Sequence, residues 1–179
     1  MEIELYPSVE ILPGTFNVLI APEDVAASAI RRLVNPRRFL ILYVCGNYSR
    51  LLSRLNLREA DFEIRRAFTA SQLLTILDEA HHSFLFVEHD QNLFAESEEM
   101  IECASMTFRE VSRESTVVLY APFLDDSLQS ISKKADRLFC FADLNSNMAT
   151  SSRAPSHWKL RTKRNHGSSF DNQSTLEVF

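Results

Sequence analysis

Phe16-Asn17-Val18-Leu19-Ile20-Ala21-Pro22-Glu23-Asp24-Val25-Ala26-Ala27-Ser28 opens on an apolar run and passes almost at once into a helical pattern. FNVLI reads as a strand buried on both faces. Over Glu23–Val34, Val25, Ala26, Ala29, Ile30 and Leu33 recur at helical spacing, and Pro36 stops the helix. A buried strand running straight into an amphipathic helix is the opening of an α/β unit.

The same alternation continues along the chain. Arg38–Val44 reads as a second strand and Tyr48–Leu55 as a short helix. Phe62–Arg66 is a brief strand leading to a helix over Thr69–Ala80, with Thr69 as its N-cap. Phe84–Val87 is a third core strand, followed by a helix over Glu96–Ser112 and the strand Thr116–Ala121. Asp125 or Asp126 caps a helix through Lys134, and Arg137–Phe141 closes the series. Uninterrupted apolar strands separated by helices predict a mostly parallel sheet covered on both faces, a three-layer doubly wound α/β fold.

Near residue 145 the composition turns to Asn, Ser, Thr, Met, Ala and Pro. The core is therefore predicted over 1–145 and a linker over 146–156. A basic C-terminal β-hairpin is expected over 157–179, from alternation at His157–Lys163 and Thr175–Phe179, packed on the sheet edge.

Composition narrows the function classes. With 45% hydrophobic residues and 13 Phe, 179 residues suffice for one well-filled core. Three Gly is few for a protein that cradles phosphates. The net charge of −5 gives no overall attraction to nucleic acid or anionic lipid. Charge is uneven, however: residues 151–179 hold five Lys and Arg against two carboxylates, a balance of +3 on a body of −8. Cys45, Cys103 and Cys140 are dispersed and form no CxxC pair, which disfavours a zinc site or a disulfide framework. The acidic N-terminus lacks a signal-peptide pattern and no apolar stretch reaches a membrane span. A cytoplasmic protein without membrane contact is expected, nuclear if its host is a eukaryote.

Three landmarks in order resemble the RecA/RadA family of recombinase-type ATPases. Ala21–Ser28 (APEDVAAS) matches the length of the phosphate loop and keeps the Pro22-Glu23 pair, behind a Gly14-Thr15-Phe16 lead-in. Ala21 and Ala26 stand where the family has Gly, Ala27 where it has Lys, and Ser28 at the Ser/Thr position. Phe84–Glu88 is similar to a Walker B strand, with Glu88 in place of the Asp. Val117–Pro122 occupies the place of the strand that leads to a sensor residue, but Ala121-Pro122 lacks the sensing amide.

Physics argues against ATP at such a loop. A Cβ obstructs the close approach that Gly permits, and Ala27 offers no charge to the phosphates. Asp24 adds repulsion of about 3 kcal/mol at ~5 Å and an effective dielectric of ~20. Neither ATP, Mg²⁺ nor another cofactor is expected, and no residue stands out as catalytic.

Other polar groups carry bland readings beside sharp ones. His81-His82 reads as exposed loop before metal site, because adjacent helical positions face apart. Glu88-His89-Asp90 at a strand end reads as loop polarity or a relic of Mg²⁺ binding before an acid–base group. Cys45 reads as a buried thiol before a nucleophile. Lys159, Arg161, Lys163 and Arg164 beside Trp158 read as a solvated strand face before a contact to single-stranded DNA or an acidic partner.

The resemblance implies a non-catalytic RecA/RadA-like accessory or regulatory subunit in DNA recombination or repair. Such a protein would work by contact with a RecA-type partner, by self-association, or on single-stranded DNA. Two alternatives stay open: a diverged ATPase completed by a partner subunit, and a regulatory scaffold of the circadian-clock or archaellum type.

Overall fold

The central strands are apolar along their whole length, so neither face of the sheet they form can meet water. The structure, a computed structural model, describes residues 3–7, 9–34, 39–55, 62–94, 98–143 and 158–164. Strands β3 (Phe16–Ile20), β4 (Ile41–Cys45), β6 (Phe84–Glu88) and β7 (Thr116–Ala121) form its centre. Every residue of these four strands is buried except Glu88, which is half-buried. With β5 (Phe62–Arg66), β8 (Arg137–Asp143) and β9 (Trp158–Arg164) they build one sheet in the order β5-β4-β6-β7-β3-β8-β9. The pairings from β5 to β8 are parallel and the last, β8 with β9, is antiparallel.

Strand order dictates where the helices go. Helices α1 (Glu23–Val34) and α2 (Arg50–Arg54) follow β3 and β4, whose connections move toward the β5 edge. Helices α3 (Ala70–Asp78), α4 (Glu98–Val111) and α5 (Asp126–Ser132) follow β5, β6 and β7, whose connections move back toward β8. Right-handed crossovers place the two groups on opposite faces. Packing agrees: α1 meets α2 on one side, while α3 and α5 both meet α4 on the other. The expected three-layer α/β architecture is present.

Alternate residues of each strand feed two separate cores. Leu19, Ile41, Tyr43, Phe84, Phe86, Val118 and Tyr120 point to the α1–α2 side. Phe16, Val18, Leu42, Leu85, Val117 and Leu119 point to the α3–α5 side. An aromatic row crosses the first core, with Tyr43 5.3 Å from Phe62 and 5.7 Å from Phe86, and Phe86 5.8 Å from Tyr120.

Several boundaries differ from the sequence reading. The second strand starts at Ile41, because Leu40 is 69% exposed and its carbonyl accepts from the Phe84 amide. Ser49 caps α2, so the helix begins at Arg50 rather than Tyr48. The fourth helix is described over Glu98–Val111, with the expected start at Glu96 outside the described residues, and the last parallel strand extends to Asp143. Thr69 and Asp125 both act as N-caps, accepting from Gln72 and Leu128.

An N-terminal hairpin was not anticipated. Strands β1 (Ile3–Tyr6) and β2 (Val9–Ile11) pair antiparallel, and Ile3, Leu5, Val9 and Ile11 bury their side chains in the α1–α2 core. Arg32 holds it to α1 through Glu4 at 3.0 Å. At the other end of the chain, β9 joins the sheet through β8. The second arm expected at Thr175–Phe179, and the linker over 146–156, lie outside the described residues.

Phe86 is fully buried between two tyrosines. Phe86→Ala is expected to lower stability by about 3–5 kcal/mol, read as a fall in the urea midpoint without a change in slope.

Candidate functional site

In an open parallel sheet, a crevice forms where neighbouring strands send their connections to opposite faces. β4 leads to α2 on one face, whereas β6 leads through a short 3-10 turn (Gln91–Phe94) to α4 on the other. A cleft of about 260 Å³ lies at these carboxyl ends and reaches β7, lined by Tyr48, Glu88, His89, Asp90, Phe123 and Asp125 among others. A neighbouring cleft of about 340 Å³ includes Asn47 and Phe68 and shares Tyr48, Asp90 and Asn92 with the first.

Glu88 ends β6 on the α1–α2 side, directly above the aromatic row. The Tyr43 hydroxyl donates to its Oε2 at 2.7 Å and lies 3.2 Å from the Ser49 hydroxyl. Burial pushes the Glu88 carboxyl above its usual range, opposed by hydrogen bonds from Ser49 and Tyr43 and assisted by Glu23 and Asp90. The Tyr43 and Tyr120 phenols are driven up by burial and by the Glu88 charge. The Tyr120 hydroxyl is buried with no hydrogen-bond partner among the described residues.

His89 follows on the opposite face. Its ring stacks on Phe94 at 5.9 Å, and its Nε2 lies 2.8 Å from Asp125 Oδ2 and 3.3 Å from the Ser127 hydroxyl. Asp125 Oδ1 accepts from Ser127 at 2.6 Å and from the Leu128 amide at 2.8 Å. Burial opposes ionisation of Asp125, but the Leu128 amide, Ser127 and His89 outweigh it and hold the carboxyl below the usual range. The Nδ1 of His89 is buried without a hydrogen-bond partner among the described residues. The side chain of His89 is only 3% exposed.

Asp90 is held by its own turn, with Oδ1 accepting from the Asn92 amide at 3.0 Å and side chain at 2.9 Å. Its Oδ2 sits where a Cβ on residue 46 would stand, so Gly46 leaves the room that this carboxylate occupies. Cys45, one residue earlier, is buried, and desolvation pushes its thiol up to about 11. That is a poor nucleophile at neutral pH.

The three landmarks singled out in the sequence meet at this edge of the sheet. Ala21 is buried and its amide donates to Ala121, so the first and third landmarks adjoin. The His89 amide donates to Tyr120, which brings in the second. Of the octapeptide only Ala21 and Pro22 lie outside the helix, and Glu23 through Ser28 belong to α1. Ala26 and Ala27 are core residues, 0% and 1% exposed, and Glu23 pairs with Arg54 at 2.9 Å. Asp24 is exposed and Ser28 half-buried.

Lys159, Arg161, Lys163 and Arg164 fall on β9, in register with Ala142, Cys140, Leu138 and Arg137. Their side chains lie outside the described set. His81 is exposed and His82 bonds Glu63 at 3.0 Å, away from the cleft. Among the described residues no group of three or more His, Cys, Asp and Glu is arranged to hold a metal ion, and no helix is long and apolar enough to cross a membrane.

The fold and cleft together define a three-layer α/β domain with its polar groups gathered at the carboxyl end of a parallel sheet. The sequence matches no protein-family model. An uncharacterized protein from Archaeoglobus fulgidus is 35% identical over 131 residues, spanning 73% of this chain and 66% of that protein, just short of two thirds of its length.

Two substitutions probe the site. Asp125→Ala removes a helix cap and the partner of His89, a loss of about 1–3 kcal/mol at neutral pH. The carboxyl titrates lower when folded, so its contribution is present above the unfolded pKa and disappears as pH falls through the folded one. Urea midpoints of the two proteins are expected to converge in acid. Glu88 has the opposite sign: its raised folded pKa means stability falls as pH rises from the unfolded value through the folded one. Glu88→Gln is expected to raise the melting temperature at neutral pH, with the gain shrinking on acidification.

Proposed function

We propose that this protein is a non-catalytic RecA/RadA-like subunit that acts by protein–protein contact, as an accessory or regulator in DNA recombination or repair. The observation that carries this reading is the start of α1. Two residues after β3 the chain is already helical, and the positions that would be Gly and Lys in a phosphate loop are Ala26 and Ala27, packed in the core. A triphosphate needs a concave run of free amides and a cation beside it. Here the amide of Ala26 is bonded to the Pro22 carbonyl, and Glu23 and Asp24 occupy the turn. These residues do not fit ATP.

The three landmarks adjoin at the carboxyl end of the sheet, which supports a nucleotide fold retained for its surface. The outermost strand β9 carries Lys159, Arg161, Lys163 and Arg164 and is the natural place for contact with a phosphate backbone or an acidic partner.

Calorimetry with ATP and Mg²⁺ is expected to give no binding heat, and micromolar affinity would overturn the reading. Copurification from native cells is expected to recover a RecA-type partner. Should single-stranded DNA bind, replacing the four β9 cations by Gln is expected to reduce the slope of log K against log salt by about 3.

A further inference from the structure

The two clefts at the carboxyl end of the sheet form one groove, since Tyr48, Asp90 and Asn92 line both. Its walls combine two features. Large aromatic side chains stand exposed along it: Tyr48 after β4 is 88% exposed, and Phe68 after β5 and Phe123 after β7 are each 58% exposed. Carboxylates Glu88, Asp90 and Asp125 line the space between them. Among the described residues neither cleft is lined by a Lys or Arg. The nearby cations are already engaged, Arg66 with the carbonyls of Gly46 and Asn47 and Arg54 with Glu23.

Exposed rings over fixed carboxylates make a receptor for a planar cation. A guanidinium stacks on an aromatic face and forks onto carboxylate oxygens, which a spherical ammonium does less well. His89, which also lines the groove, keeps a buried Nδ1 without a hydrogen-bond partner among the described residues.

We propose that this groove binds an arginine-bearing extended segment of a partner protein. The charge pattern selects that occupant over an acidic or neutral peptide. The groove's course past β5, β4, β6 and β7 suits a segment with several residues in contact rather than one small molecule. This deepens the reading of the protein as a non-catalytic assembly subunit and rests on it, with the contact at the carboxyl ends of β5, β4, β6 and β7, away from the β9 edge.

The test is fluorescence anisotropy of a labelled arginine-rich hexapeptide, with lysine-rich and glutamate-rich hexapeptides as controls. Preferential binding of the arginine peptide is expected, and no binding of the glutamate peptide. Tyr48→Ala and Asp90→Asn are each expected to weaken it about tenfold. Met106→Ala, on the exposed face of α4, is expected to leave it unchanged. Gly46→Ala displaces the Asp90 carboxylate and is expected to act like Asp90→Asn, while circular dichroism reports whether each variant folds.

Equal affinity for lysine and arginine peptides with no effect of Tyr48→Ala would mean diffuse attraction to an acidic body and overturn the proposal. Free arginine competing as strongly as the peptide would replace the partner by a small cation and also overturn it. A dimer in sedimentation that Tyr48→Ala dissociates would make a second copy the occupant, with the same consequence. Peptide failure with no ATP heat and a copurifying partner sinks this inference alone, whereas ATP heat alongside arginine-peptide binding sinks only the reading on which it rests.

Discussion

Two-sided burial of β3, β4, β6 and β7 is the constraint from which the architecture follows. Their residues alternate between two cores, so each face demands its own helices, and the crossover hand then fixes which helices serve which side. Once helices leave neighbouring strands in opposite directions, a crevice between β4 and β6 cannot be avoided. The polar groups gather there because the strand ends are where the chain first escapes the apolar layers. Glu88 and His89 are consecutive, yet they face opposite cores and acquire unrelated partners, Tyr43 on one side and Asp125 on the other.

Much of this was legible from patterning. Runs such as FLFV and TVVLYA carry no alternation, and that alone predicts burial on both faces. The hairpin β1–β2 leaves its own trace in the sequence: Ile3, Leu5, Val9 and Ile11 alternate with charged or polar positions across a Pro7-containing turn. Helix starts were set by caps, so Ser49 moved the second helix by two residues, a choice that propensity cannot resolve.

The site was legible only in part. Glu88-His89-Asp90 stood out as polar residues at a strand end, and Asp125 as a helix cap. Nothing in the spacing joins His89 to Asp125, because they are 36 positions apart and meet only when β6 and β7 pair. Gly46 gave no signal either, since its role is to leave room for the Asp90 carboxylate contributed by another loop. The helix over Glu23–Val34, which takes in most of the octapeptide Ala21–Ser28, was legible from the helical spacing of its apolar residues.

The outer strand β5 carries a further consequence. Unlike the interior strands it has no fully buried residue, with Glu63, Ile64 and Arg66 exposed, and Arg65 ties Glu63 to Glu79. A foreign strand laid along it would have to dehydrate this ionic lattice while gaining little apolar cover. Sheet extension between molecules is thereby discouraged on that flank, so fibrous growth from β5 is guarded against by charge.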